Sequence, residues 1–416
     1  MGHMVGKDIY QKLGKKIDNS VMRAPWSDSL YAIVKELYTS EEAELVVKMP
    51  YGMADIDKIQ KVTGYEKGKL QKLLDGMCSK GLVMDIWHTG GYRYIVSPLI
   101  VGIFEFTMMR TRGELKMKEW AKLFHDYLQD GGTFHKANCS HKEKVSPLRA
   151  LPWEETIENS EYVEVLDYEK ASAIIDQNDK YAIGICSCRH EKMHAGEKEC
   201  DAPLEVCSTI GPAMDYMTKH GFAREVCKTE MLENVARSKE LGLVLCADNC
   251  KNDISFICHC CGCCCNVLQG INRFGYPNAL VTSSFIAHHD ADDCTGCGNC
   301  AEACPIDAIE MQPDDTPEVD EAICVGCGVC GLRCSTEEIK LQKRKQRVLH
   351  PEDTFERIIL QSLERGTLQN LLFDNPQSNS HKFMRGFVGG FLKLPPVKRA
   401  LMSDRLRSSF LNTLRK

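Results

Sequence analysis

The chemistry in this sequence is concentrated in thiols. Two cysteine runs stand thirty residues apart, Cys294-x-x-Cys297-x-x-Cys300-x-x-x-Cys304-Pro305 and Cys324-x-x-Cys327-x-x-Cys330-x-x-x-Cys334-Ser335. A gap of two residues lets the backbone wind once around a metal cluster, so three thiolates converge on one cube while the intervening N–H groups point at its sulfides. Gly296, Gly298, Gly326 and Gly328 suit the tight turns this needs. The fourth cysteine of each run lies too far along to close the same cube easily, and in this spacing it serves the other cluster. The expected ligand sets are therefore Cys294, Cys297, Cys300 and Cys334 for one cube, and Cys324, Cys327, Cys330 and Cys304 for the other. Structural zinc fits less well, because paired zinc ligands come as two Cys-x-x-Cys knuckles and not as tandem four-cysteine runs.

On these residues the stretch 291–341 resembles the bacterial two-cluster ferredoxin module. The repeat extends beyond the cysteines: Ile306-Asp307-Ala308-Ile309-Glu310-Met311 is echoed by Thr336-Glu337-Glu338-Ile339-Lys340-Leu341, which suits a helical turn followed by a strand. Ser335 stands where the first half has Pro305, a departure that removes no ligand. The resemblance implies two [4Fe–4S] clusters with potentials toward the low end of the range open to such centres.

Two further cysteine groups precede the module. Cys186, Cys188, Cys200 and Cys207 form the first, with Arg189 placed to offset the negative charge of a thiolate-bound cluster. The second comprises Cys246, Cys250 and the run Cys258-His259-Cys260-Cys261-Gly262-Cys263-Cys264-Cys265. Neighbouring side chains on an extended strand point to opposite faces, so adjacent cysteines of that run cannot all serve one cube. The expectation is one or two further iron–sulfur clusters, with Cys186, Cys188, Cys200 and Cys207 on one and most of Cys258, Cys260, Cys261, Cys263 and Cys264 on the other; zinc at one of these sites is the alternative. As a whole this segment resembles the cysteine-rich iron–sulfur proteins of anaerobic bacteria and archaea, in which a similar domain precedes a two-cluster ferredoxin. The Cys-Cys-Gly-Cys-Cys stretch is also similar to the sites of unusual, non-cubane clusters. His190-Glu191-Lys192-Met193-His194 satisfies H-E-x-x-H, but it starts two residues after Cys188 in a Lys- and Gly-rich stretch without helical apolar periodicity, so it reads as a loop and not as a peptidase helix. No glycine-rich nucleotide loop is present.

The elements that must hold these thiols are legible in outline. After an N-terminal arm (1–26), whose Met1-Gly2-His3-Met4 looks like an expression scar, residues 27–97 read as a winged helix. Helical patterns over 27–38, 41–49, 55–63 and 66–79 are followed by hairpin strands at 82–87 and 92–96. The helix in the recognition position offers Glu66, Lys67, Lys69, Lys72 and Asp75, with neither Arg nor Asn to read bases bidentately, so docking is favoured over DNA binding. Residues 98–160 form a helical bridge with an apolar stripe of Leu115, Trp120, Leu123, Phe124, Tyr127 and Leu128. His135, Cys139 and His141 fall in a polar loop there and, like Cys78, read as structural. Residues 161–290 alternate strand and helix, with strands at 162–166, 181–185, 243–245 and 254–257 and helices at 168–177, 211–220 and 229–241. Residues 342–416 form a basic helical tail in which Phe383 to Leu394 is a basic–apolar segment ended by Pro395-Pro396. The fold class is α+β multidomain: winged helix, mixed α/β cysteine-rich middle domain, bacterial ferredoxin-like dicluster domain and helical basic tail.

The chain has 416 residues and 23 cysteines. Such cysteine density without a secretory leader or an apolar run of membrane length points to metal clusters inside a reducing, cytoplasmic compartment. The net charge of −6 hides two poles: −10 over 290–335 and +8 over 381–416. These would steer different partners, a redox partner protein at the acidic module and an acidic partner or anionic membrane surface at the tail. The expected function is electron transfer, as a carrier or an oxidoreductase subunit, between the dicluster module and clusters in the middle domain. The alternative is a redox-sensing winged-helix transcription regulator. Substrate, oligomeric state and direction of electron flow are not written in the sequence.

Overall fold

Local capping chemistry sets the start of the chain. In the computed structural model, which describes residues 8–113, 115–140, 145–158, 166–289, 293–345, 348 and 350–415, Ser27 accepts from the Leu30 amide to open the helix Asp28–Leu37. Thr39 and Glu42 make a reciprocal capping box for Ser40–Lys48, satisfying amides that a helix start leaves unpaired. Asp55 caps Ile56–Thr63, Gly64 closes it in the left-handed region, and Glu66 caps Lys67–Ser79. The hairpin that follows pairs β1 (Val83–His88) with β2 (Gly91–Val96), His88 opposite Gly91. Leu30, Ile33, Val34, Leu70 and Leu74 are buried, as their helical spacing predicts.

The chain forms two compact units, Met1–Asn138 with Ile358–Lys416, and Cys139–Arg357. The stretch expected as one bridge is thereby divided between them. Its helix Met117–Gln129 buries Trp120, Phe124, Tyr127 and Leu128. His135 is buried within the helix Thr133–Asn138 and not in a polar loop, and His141 lies outside the described residues.

The second unit is built on a six-stranded sheet of β3 (Leu148–Leu151), β4 (Tyr181–Ile185), β5 (Glu205–Ile210), β6 (Ala223–Val226), β7 (Val244–Asp248) and β8 (Phe256–Cys260). The order is β3-β7-β8-β5-β4-β6, antiparallel at every pairing. The strand expected at 162–166 falls mostly outside the described residues. The helix expected at 168–177 is a 3-10 turn, Asp167–Glu169, followed by Ala171–Asp176.

Just before the expected module, β9 (Phe285–His289) pairs antiparallel with β12 (Ile339–Lys343). Between them β10 (Ile309–Met311) pairs with β11 (Pro317–Val319). The repeat is visible in the backbone: Gly296 and Gly326 both have φ 66°, and Asp307 and Glu337 have φ 55° and 59°. At Gly326 a side chain is also excluded by space, since a Cβ would run into the Phe285 carbonyl. Middle segment and ferredoxin-like segment share one continuous core, in which Leu245, Ile257 and Leu268 belong with Ile306, Val325 and Leu341.

The tail is helical over Leu368–Leu372, Asn379–Leu392, Pro395–Leu401 and Asp404–Arg415. Pro395-Pro396 ends one helix and opens the next, the first-turn position where a missing N–H costs nothing. On Asn379–Leu392 the buried residues are Gly389 and Leu392. Phe383, Phe387 and Phe391, at four-residue spacing along one face, are 71%, 68% and 55% exposed. Among the described residues no helix is long and apolar enough to cross a membrane.

Candidate metal centres

β8 decides how the middle cysteines are shared. Cys258 and Cys260 face one side of the sheet and His259 the other. His259 lies with Nδ1 2.7 Å from Ser238 Oγ and Nε2 2.8 Å from Ser208 Oγ. Burial, with Arg189 nearby, pushes its pKa down to about 3, so it is a neutral, hydrogen-bonded core histidine. The strand ends at Cys260, and the chain then turns Cys261, Cys263 and Cys264 toward a different place. Gly262 makes this possible: a Cβ there would lie 2.7 Å from the Pro305 carbonyl oxygen.

Cys261, Cys263 and Cys264 meet Cys200, and all four Sγ atoms lie within 4.8 Å of one another. Cys200 is 3.5 Å from Cys261, and Cys263 is 3.3 Å from Cys264. Arg189, fully buried, donates from Nη2 to Cys261 Sγ at 3.5 Å and to the His259 carbonyl at 2.9 Å, while Nη1 donates to the Pro203 carbonyl at 2.6 Å. A hydrogen bond from the Cys264 thiol, reinforced by the guanidinium charge against the effect of burial, draws the Cys261 pKa down. A lowered thiol pKa suits a metal ligand.

The fold groups the middle cysteines differently from the groups that spacing suggests. Cys200 leaves Cys186, Cys188 and Cys207 to join Cys261, Cys263 and Cys264, while Cys258 and Cys260 stay on the sheet. Sequence neighbours part because strand alternation and the strand end separate them. Cys246 and Cys265, left out of either expected set, contact Cys260. Cys250 stands apart, its pKa pushed up to about 11 by burial, with Asp248 nearby. Among the described residues no two of the 23 cysteines form a disulfide.

In the ferredoxin-like segment Cys304, Cys324, Cys327 and Cys330 line one small cavity of about 20 Å³, whose other walls are Ala, Pro, Ile, Val, Gly and Leu. The Ala308 amide donates to Cys304 Sγ at 3.2 Å. Cys300 lies close to Cys334 and Cys294, and burial together with their charge raises its pKa. At Cys334 burial is outweighed by hydrogen bonds from the Thr336 hydroxyl and nearby amides, and the pKa falls. A family model described as a 4Fe-4S dicluster domain matches residues 293–337. This match indicates [4Fe–4S] binding and supports a ferredoxin-type module. Searches of curated proteins and of solved structures give no match. The dicluster domain's donor set fits the group: soft thiolates around an apolar cavity, with an amide aimed at sulfur.

Between the dicluster domain and the quartet runs a cleft of about 470 Å³, lined by Cys200, Cys261 and Cys263 and by Ala303, Cys304 and Pro305, with Glu199, Asp201, Glu302 and Asp307 also on its walls. The H-E-x-x-H stretch, expected as a loop, lies on the helix Ser187–Ala195, with His190 and His194 Nε2 atoms 3.0 Å apart. Glu191 is fully buried and 3.7 Å from the equally buried Lys192, so it does not face a solvent-fed metal as a general base would. Taken together, the dicluster domain and the cysteine-rich region suggest an iron–sulfur electron-transfer protein.

Proposed function

We propose that this chain carries electrons between the two clusters of its dicluster domain and a further cluster held by Cys200, Cys261, Cys263 and Cys264. The observation that carries this reading is the shared cleft wall, where three of the quartet cysteines and Cys304 line one space. The ligand sets are Cys294, Cys297, Cys300 and Cys334 for one dicluster centre and Cys304, Cys324, Cys327 and Cys330 for the other. Bound clusters supply one-electron exchange. The chain's own residues fix their positions, exclude water from Cys327 and Cys330, and place the Arg189 charge against the quartet. The acidic surface of the dicluster domain steers a redox partner protein, and the thiol density calls for a reducing, cytoplasmic setting. In an anaerobic reductive titration followed by EPR, a Cys261→Ala/Cys264→Ala variant should lose one centre and keep the dicluster signals. An unchanged set of signals would overturn the assignment.

The N-terminal helices and hairpin are read as a winged helix used for docking. Lys67 is ion-paired with Asp57 at 2.6 Å and Lys69 with Glu41, which leaves little positive charge for phosphates. The wing carries Trp87 and Tyr92, both exposed and in edge contact. In the tail, the exposed phenylalanine row on a basic segment is the pattern of a helix lying in an anionic membrane surface.

A further inference from the structure

Seven thiols outside the dicluster domain and the quartet converge on one face of the six-stranded sheet. β7 and β8 set Cys246 opposite Cys258. Ser208 pairs with Ile257, which sets Cys207 beside Cys258 on the next strand. These three side chains share a face, as does Cys260 two residues along β8. Neighbouring strands lie about 4.8 Å apart, so the row Cys207, Cys258, Cys246 spans roughly 10 Å across three strands.

Three more thiols come from the residues that open helices. Cys186 immediately precedes Ser187–Ala195, Cys188 lies in its first turn, and Cys265 immediately precedes Asn266–Asn272. Thiol contacts join the two layers: Cys258 meets Cys207 and Cys260, Cys260 meets Cys246 and Cys265, and Cys265 meets Cys188. Cys246, Cys260 and Cys265 are buried, in the same core as Cys324, Cys327 and Cys330. The imidazole of the run, His259, is turned to the other side of the sheet.

We propose that these seven cysteines hold a polynuclear iron–sulfur centre larger than one cubane. The quartet, with its sulfurs within 4.8 Å of one another, has the compactness of a four-thiolate site. Seven thiols, three of them on strands that together span roughly 10 Å, are more than the four ligands one cube takes. Seven ligands also fall short of the eight that two separate cubanes take. A single larger centre uses the whole set, and it stands on the core that also carries the inner dicluster thiols.

The test is iron and acid-labile sulfide per full-length chain, prepared anaerobically, with Mössbauer spectra on the same samples. The natural chain should hold more than about sixteen irons. A Cys207→Ala/Cys246→Ala variant should lose more than about four of them while the dicluster EPR signals persist, and a Cys227→Ala control at an exposed thiol should lose none. This difference does not depend on the quartet, whose own loss is read from the Cys261→Ala/Cys264→Ala variant. A variant that loses four irons or fewer overturns the larger centre. Should that variant fail to fold, about twelve irons or fewer in Cys261→Ala/Cys264→Ala, which lacks the quartet centre, does the same.

Discussion

Replacing Arg189 by Gln removes a buried positive charge 3.5 Å from Cys261 Sγ and leaves a shorter, still polar side chain. With an effective dielectric constant near 20, two unit charges at that separation interact by about 5 kcal/mol. An added electron is spread over a cluster and not fixed on one sulfur, so the effective distance roughly doubles and about half of this remains. At about 59 mV for each tenfold change in a one-electron equilibrium, the quartet centre should fall by on the order of 100 mV in Arg189→Gln. The sign follows from charge: the reduced cluster is the more negative one and loses its counter-charge. Redox titration monitored by EPR reads the shift, and Arg189→Lys, which keeps the charge, should recover most of it. If no centre moves by more than about 20 mV, or if only the dicluster centres move, the placement of Arg189 against a quartet cluster is refuted.

Other consequences are open to measurement. Burial, with Arg149 and Lys251 nearby, pushes the His350 pKa down to about 3, below its unfolded value, so its contribution to stability is present above about pH 6.5 and is lost as pH falls; between pH 7 and 5 this amounts to about 2 kcal/mol. Anaerobic guanidinium midpoints for the natural chain should therefore drop more over that interval than those of His350→Gln, and equal drops would refute the burial argument. Gly262→Ala forces a methyl against the Pro305 carbonyl and should cost about 1–3 kcal/mol by the same assay; an unchanged midpoint would show that the two backbones give way freely. Vesicles rich in phosphatidylserine should carry the natural chain in flotation, with release by salt, and Phe383→Ser/Phe387→Ser should stay at the bottom; equal flotation of the two would exclude the tail as anchor. With Lys67 and Lys69 engaged in ion pairs, gel shifts at physiological salt should show no sequence-selective DNA binding, and a selective shift would restore the regulator reading.

What the sequence showed and what it hid have physical causes. The 30-residue repeat was readable because its turn geometry depends on local residues: Gly296 and Gly326 share one backbone angle, and helix caps such as Ser27 and Thr39 act within a few residues. The pairing of β9 with β12 was not readable, since it joins residues some fifty positions apart. The same holds for the middle cysteines. Alternation along Cys258-His259-Cys260 announced that the run must split, but which thiols join which depends on strand register: Cys246 opposite Cys258, and Ser208 opposite Ile257. Cys200 reaches the quartet from a loop that spacing alone assigned to Cys186 and Cys188. The helix Ser187–Ala195 lacked an apolar stripe because its buried residues are Ser187, Arg189, His190, Glu191 and Lys192, a polar set that hydrophobic periodicity does not register.

The most direct test follows a single electron. A light pulse that injects about one electron per chain into the anaerobic full-length protein, sampled by freeze-quench EPR, should show reduction first in the dicluster domain and then its decay as a middle-domain signal grows. In Cys261→Ala/Cys264→Ala that second phase should be lost or slowed. An electron that stays in the dicluster domain of the natural chain, or identical time courses in the two proteins, would contradict transfer between the dicluster domain and the quartet.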